Sequence, residues 1–549
     1  MAAHPGKDLA MSDPRVADSE RRAGWGAWLW RIGAHLLAFW IFLPTYGARV
    51  LPLGDLPLWH DDLARLAASP DAASWQAVNA RFAKLGRFAP GVFALNAAAL
   101  RLNDSPQIAY WLLAMLCVQA TVAAVNLLVE GITGSAALAF ASSSLLLLLP
   151  HLVSTATLSI NAETIQLPFL TWFLYWAYRY CLVRPGMLRL GLALAAYFGV
   201  LVCKETGVLL APGLVGVFLL SAALRHRTRK ATGVLALGSV LVTLVWWAWR
   251  SHYLSAYLEG YPAQIVSLDP GSVARRLVIW LVEILAAFLP LAIVIAWFAW
   301  KTGAALAGPA RTSEADKETI ARVGLIAIPL AAFVVGMASV TQVMIRYFTP
   351  AMAMAAVVMG AGMAAIPGRR TRVLAAILLA ASVANAVAGG LTCRSVVTEV
   401  LRWQDAAVRQ VAELPCHGRL YFDAPAPLDN AEYLPNITWS VHTFYGRGDL
   451  TFRAYDPQAI SSDRGAYVLV MASRNVTLVT DRYIGDDALE FQPGARQPVW
   501  EYSHCVVGWQ LRGIDLLLWA RDALNPGGGP DRHPLGITRY EMESRVFQP

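Results

Sequence analysis

Apolar runs close to twenty residues long recur from about residue 30 to residue 391 of this 549-residue chain. Such a run matches the ~20 residues that a helix needs to cross the hydrocarbon core of a bilayer. In hydrocarbon every backbone N–H and C=O must find its partner within the protein, so only helices and closed barrels span. Composition agrees: 57% of residues are hydrophobic and 15% are Asp, Glu, Lys or Arg, against about a quarter charged in a soluble domain. The chain reads as an all-α polytopic membrane protein.

The spacing predicts about eleven spans, at 28–50, 107–129, 133–152, 163–182, 187–203, 207–224, 231–249, 277–300, 322–341, 347–366 and 373–391. Basic loops then set the orientation. With Arg15, Arg21 and Arg22 inside, the groups Arg179/Arg184/Arg189, Arg225–Lys230, Lys301/Arg311/Lys317/Arg322 and Arg369–Arg372 all fall on the same side. That is the positive-inside pattern, and it accounts for the net charge of +8 without nucleic acid as a partner. Six lysines stand against 39 arginines, a bias of GC-rich bacterial genomes. The expected location is therefore the bacterial inner membrane, with the N-terminus cytoplasmic.

The expected organisation is a cytoplasmic tail over 1–27, a transmembrane domain over 28–391 and a periplasmic domain over 392–549. The tail is polar, and the first apolar run lacks a small-residue cleavage pattern, so it reads as an uncleaved anchor. The C-terminal region has soluble composition and short β-like runs, Tyr467–Val470 and Val476–Val479, between Gly/Pro/Asp turns, which predicts an α+β domain. Cys117, Cys181 and Cys203 fall in or beside spans as apolar packers, whereas Cys393, Cys416 and Cys505 are expected outside, where a Cys416–Cys505 bridge is one pairing open to them. No CxxC pair or His/Cys cluster suggests zinc or redox chemistry.

Three outer segments remain: a long loop over 51–106, a short turn His151–Asn161, and 250–276. The first holds Asp61-Asp62 and a semi-apolar stretch from Phe88 to Leu102 that reads as an interfacial helix. Ionisable groups near spans are costly and hence functional candidates. On the outer side these are Asp61, Asp62, Lys84, Arg87, His151, Glu163, Lys204, Glu205, Arg250, His252 and Arg346, the last followed by Tyr347. Each also has a plainer role. Asp61-Asp62 suits a turn or a helix N-cap, Glu163 a helix N-terminus, Lys204-Glu205 an interfacial ion pair, and Arg346, Arg250 and His252 snorkel to headgroups. Carboxylates can take a proton or hold a hard cation, and arginines can neutralise a phosphate.

The order of these elements resembles the GT-C glycosyltransferase superfamily, which includes protein O-mannosyltransferases, the aminoarabinose transferase of lipid A and O-antigen glucosyltransferases. Asp61-Asp62 matches the acidic motif of the first outer loop. Gly86-Arg87-Phe88-Ala89-Pro90 is similar to a Gly-Arg-Pro element with an insertion. Glu163 matches the acid near the second outer loop, Lys204-Glu205 a later Lys-Glu, and Arg346-Tyr347…Pro350 an Arg-Tyr…Pro element. The resemblance covers roughly residues 30–391.

It implies an inverting transferase that uses a polyprenyl-phosphate-linked sugar donor and a glycan, glycolipid or protein acceptor. Asp61 would be the general base. Asp62 and Glu163 would orient the acceptor, and a divalent cation (Mg or Mn) on Asp61 and Glu163 is compatible with the resemblance. Lys204, Arg346 and Arg87 would hold the donor phosphate, with Glu205 keeping Lys204 in place and Tyr347, Arg250 and His252 lining the substrate. The alternative classes are a transporter or flippase for a lipid-linked or anionic substrate, using the same cations, and a non-catalytic scaffold of envelope polysaccharide assembly. Against transport stand the lack of an inverted repeat and of a clear mid-bilayer ionisable group, Glu283 and Asn126 being the nearest.

Overall fold

A computed structural model describes residues 25–50, 88–102, 106–158, 162–254, 268–309, 311–340, 345–415, 419–423, 438, 441–442, 445–454, 467–474, 498–509, 511, 513, 516 and 537–547. Asp61, Asp62, Lys84 and Arg87, Cys416 and the expected strand Val476–Val479 lie outside the described residues.

The helices in chain order are α1 (Trp25–Val50), α2 (Pro90–Leu102), α3 (Pro106–Thr133), α4 (Ala136–Leu148), α5 (Pro150–Leu158), α6 (Ala162–Tyr178), α7 (Met187–Cys203), α8 (Leu210–Ala223), α9 (Arg229–Leu254), α10 (Pro270–Ala287), α11 (Pro290–Ala307), α12 (Glu314–Met337), α13 (Thr349–Ala365) and α14 (Arg369–Ala412). Among the described residues seven helices are long and apolar enough to cross a membrane, or eight if the bent pair α4–α5 is one span. Large apolar side chains on the outside, such as Leu36, Leu241, Leu244, Val245 and Trp300, are exposed where a soluble protein would place polar groups. The structure is that of a polytopic membrane protein.

Helix α13 forms the centre. Its sequence, rich in Ala, Met and Gly, has no polar face, and its residues from Thr349 to Gly362 are buried. A helix that is apolar all round belongs inside. Small residues allow close approach: a Cβ on Gly362 would lie 2.1 Å from Val294 Cγ1 of α11, and one on Gly213 of α8 would lie 2.5 Å from Pro329 Cα of α12. Arg31 of α1 holds Glu130 of α3 with both arms of its guanidinium, at 2.9 and 2.7 Å.

Two expected spans are not single helices. The span expected at 133–152 bends by 61° between α4 and α5. Pro150 drives Leu149 into an extended conformation (φ −65°, ψ 133°), because its ring crowds a preceding helical residue. The turn expected over His151–Asn161 accordingly begins as helix α5, with His151 buried. The span expected at 277–300 splits into α10 and α11 around Phe288–Pro290, where Pro290 cannot donate the next helical bond. The Leu289 amide turns instead to Ser382 Oγ of α14 (2.9 Å). Cys393, expected outside, is buried within α14.

Helix α14 has 44 residues, about 66 Å at 1.5 Å per residue, and runs unbroken through residues 391 and 392. That exceeds the roughly 30 Å hydrocarbon core, so the helix must emerge from it. Its emerging part carries a mixed five-stranded sheet of β1 (Arg419–Asp423), β2 (Thr451–Ala454), β3 (Tyr467–Arg474), β4 (Trp500–Trp509) and β5 (Ile537–Phe547), in the order β2-β1-β3-β5-β4. β1 pairs in parallel with β2 and β3, while β5 is antiparallel to β3 and β4. β4 docks on α14, where Trp509 N–H donates to Thr392 Oγ1 (3.2 Å).

Filling the α13–α11 contact tests this packing. Gly362→Leu should destabilise the protein by about 1–3 kcal/mol through overpacking, read as a lower Tm in detergent. Gly191→Ala, where a Cβ meets nothing within 4 Å, should leave Tm unchanged.

Candidate functional site

Helices α6 and α7 form an antiparallel hairpin, so the start of one meets the end of the other. Glu163 lies in the first turn of α6, where the helix dipole favours a carboxylate. Lys204 is the residue after α7, in extended conformation (φ −159°, ψ 137°) before the short 3₁₀ turn Glu205–Leu209. Lys204 Nζ donates to Glu163 Oε1, with side-chain exposures of 16% and 3%. Two charges so far out of water hold each other in place, since neither can turn to solvent.

The backbone around this pair is pinned from two sides. Gln166, one turn into α6 and buried, donates its Nε2 to the carbonyls of Val200 (3.3 Å) and Lys204 (3.4 Å). Gly207 N–H donates to the same Lys204 carbonyl at 3.1 Å. Gly207 is required there, because a Cβ would lie 2.8 Å from Val200 Cγ1.

A third segment completes the group. Ile345–Phe348 forms a 3₁₀ turn leading into α13. The Tyr347 ring lies beneath Lys204, with Nζ 4.2 Å from its centroid, and the Arg346 guanidinium carbon sits 5.8 Å from the same centroid. Two cations thus lie near one phenol ring, and Glu163 offsets the charge of Lys204. Behind this segment, Thr349 Oγ1 and Thr155 Oγ1 of α5 are 3.0 Å apart, and Thr164 Oγ1 donates to the Thr155 carbonyl (3.1 Å). The bend after α4 therefore puts α5 directly behind Arg346-Tyr347.

Glu205 is placed differently from the sequence expectation. Its Oε1 accepts from the Phe88 N–H at 2.7 Å, while Glu163 takes the Lys204 ammonium. The sequence Lys-Glu signals a pair between neighbours, but the extended backbone at Lys204 sends the two side chains to different partners. Glu205 thereby ties the chain next to Gly86-Arg87 to the group. The Phe88 ring packs among Trp246 (6.2 Å), Trp249 (4.8 Å) and Tyr253 (5.3 Å) of α9. The stretch expected to lie flat, α2, packs against α3 and α7. Arg250 lies over Trp247 (5.4 Å) and His252 is exposed near the end of α9.

Glu163, Lys204, Arg346 and Tyr347 are thus brought together, Glu205 borders them, and Arg250 and His252 sit on the neighbouring helix end. Asp61, Asp62 and Arg87 lie outside the described residues. Gln166, Thr155 and Thr164 escaped sequence reasoning because neutral polar side chains in a span carry no charge signal. Among the described residues no group of three or more His, Cys, Asp or Glu gathers as a cation site, and the Glu163 carboxylate is engaged by Lys204. The described residues therefore do not build a cage for a divalent cation.

What the group offers chemically is anion binding. An ammonium has three donors, so Lys204 can hold Glu163 and a phosphate oxygen at once. Arg346 can add a bidentate contact. A double-mutant cycle tests the coupling. Glu163→Gln and Lys204→Met should each cost about 3–5 kcal/mol by leaving a buried charge unmatched. The double variant should lose less than the sum, with an interaction energy of about 0.5–3 kcal/mol in detergent unfolding; strict additivity would show the two charges to be independent.

No family model matches this chain, and no curated protein does. Among solved structures it is similar to ArnT from Cupriavidus metallidurans in the apo state, at 14% identity over 80% of this chain and 93% of that chain, with a TM-score of 0.48. ArnT bound to undecaprenyl phosphate gives 14% identity, 82% and 93% coverage and the same TM-score of 0.48. The arabinofuranosyltransferase AftD from Mycobacteria is similar at 15% identity over 98% of this chain and 40% of that chain, with a TM-score of 0.41.

Proposed function

We propose that the protein is an inverting, GT-C-type glycosyltransferase. It moves a sugar from a polyprenyl-phosphate donor to an envelope glycan, a glycolipid or a protein on the outer face of the inner membrane. The observation that carries this reading is the pairing of Lys204 and Arg346 around Tyr347 at one end of the helical body. That end is the one away from the basic loops. Glu318, near the start of α12, takes His226, Arg227 and Arg322 at 3.1–3.2 Å. Gly336, about 27 Å further along the same helix, approaches Leu209 just after Lys204. By the positive-inside rule the Glu318 end is cytoplasmic and the Lys204 end is outer.

The steps follow from charge. The donor phosphate sits against Lys204 and Arg346, with Arg87 as a third cation, the role its Gly-Arg-Pro-like element implies. Asp61 removes the proton from the acceptor hydroxyl, and that oxygen attacks the anomeric carbon from the face opposite the phosphate. The glycosidic C–O bond breaks, and its electron pair leaves on the polyprenyl phosphate. The cations stabilise the charge that grows there. Glu163 keeps Lys204 aimed, and Asp62 orients the acceptor.

The test is sugar transfer by the purified protein in nanodiscs, with a panel of polyprenyl-phosphate-sugars. Asp61→Asn should abolish transfer at unchanged Tm and unchanged donor binding. Arg346→Gln should weaken binding of undecaprenyl phosphate about 10–100-fold, the loss of one charge-assisted contact of about 1.5–3 kcal/mol. Donor binding without turnover, together with movement of the lipid across proteoliposomes, would replace the transferase with a flippase.

A further inference from the structure

One buried His–Glu pair plays no part in the transfer proposed above. His151 Nε2 of α5 and Glu283 Oε1 of α10 are 2.9 Å apart, with side-chain exposures of 4% and 1%. A carboxylate so deeply buried is costly unless paired, and an apolar pair would pack there at lower cost. Its retention calls for a task that directional bonds perform better than methyl groups.

On one side the pair faces the donor segment. Phe348, directly after Tyr347, stacks on Trp280 with centroids 4.1 Å apart, and lies 5.7 Å from the His151 ring. Trp280 is one turn before Glu283 on α10, so His151 and α10 enclose Phe348 between them. Thr349 Oγ1 also donates to the His151 carbonyl at 3.4 Å.

On the other side the pair meets the segment that leaves the C-terminal sheet. After β4, Leu511 exchanges both backbone bonds with the Asn385 side chain of α14, at 2.8 and 2.9 Å. Gly513 lies against α10, where a Cβ would come 2.4 Å from Glu283 N and Cα. His151, Glu283, Asn385 and Leu511 line one small cavity of about 20 Å³, room for a single water.

We propose that His151 and Glu283 are positioning residues: they form the joint through which the C-terminal sheet holds Arg346-Tyr347 in register with Lys204. The sheet fixes Leu511–Gly513, that segment fixes α10, and the pair fixes α5 and Phe348. This rests on the donor-binding role assigned to Arg346 and Lys204 above.

Two variants and two readouts test it. Glu283→Gln keeps shape and removes the charge, whereas Asn385→Leu cuts the tie to Leu511 without touching the pair. In either, amides 345–349 should exchange hydrogen faster than in the wild type. Binding of undecaprenyl phosphate should weaken about tenfold, equivalent to about 1.4 kcal/mol, and in turnover the donor KM should rise while kcat holds. A merely structural pair would lower Tm and the active fraction and leave the KM of folded molecules untouched. Should Glu283→Gln fail to fold, Asn385→Leu decides alone. Unchanged exchange at 345–349 overturns the joint. If wild type binds no undecaprenyl phosphate, the donor reading fails by itself, and exchange still decides the joint: faster sustains it, unchanged removes it.

Discussion

Inside a membrane a helix can break only where the protein supplies partners for the freed backbone groups, and this constraint locates everything of interest in the molecule. Two breaks lie at one end of the helical body, and a third lies deeper along it. At Leu149–Pro150 the chain bends, and the His151 carbonyl accepts from Thr155 and Thr349 hydroxyls. At Lys204 the backbone goes extended, and its carbonyl accepts from Gln166 and Gly207. At Phe288–Pro290 the Leu289 amide finds Ser382. Each break frees polar groups, and the polar side chains that satisfy them come from neighbouring helices. Irregular backbone and buried polarity are therefore found together.

The charges obey the same logic. Lys204 does not stand alone on an apolar surface; it is set between Glu163 and the face of Tyr347. Neutralising part of its charge makes the site tolerable when no ligand is bound. A phosphate entering such a site exchanges its hydration for donors already in place, which is the arrangement in which electrostatic stabilisation is largest. The opposite end uses its cations differently. There Glu318 gathers His226, Arg227 and Arg322 into a local network at the basic loops, which suits orientation in the membrane.

The sheet adds a second level. Because α14 continues for 44 residues, the C-terminal module is attached through a rigid element instead of a linker. Its edge strand β4 and the residues after it reach back to α10 and α14 near His151 and Glu283. The module is thereby mechanically continuous with the segment proposed to hold the donor.

Much of this was legible in the chain itself. Hydrophobic length and low charge determined the helical membrane class. The basic loops give an expected orientation by the positive-inside rule, and the strand at Tyr467–Val470 was visible in its β-branched and aromatic pattern within a turn-rich region. The order of Asp61-Asp62, Glu163, Lys204 and Arg346-Tyr347 marked candidate residues, of which Glu163, Lys204, Arg346 and Tyr347 meet in the fold. Tertiary structure alone decided which of them touch. Apolar length cannot report a bend, so α4–α5 and α10–α11 read as single spans until the prolines met their neighbours. Adjacency in sequence suggested Lys204 with Glu205, whereas one extended residue gave Lys204 to Glu163 and Glu205 to Phe88. Glu283 read only as the nearest approach to a mid-bilayer ionisable group, because its partner His151 lies 132 residues away. Sequence determines what each segment can do in lipid; which polar groups meet is set by long-range packing, where the desolvation of every buried charge must be answered by a partner from another helix.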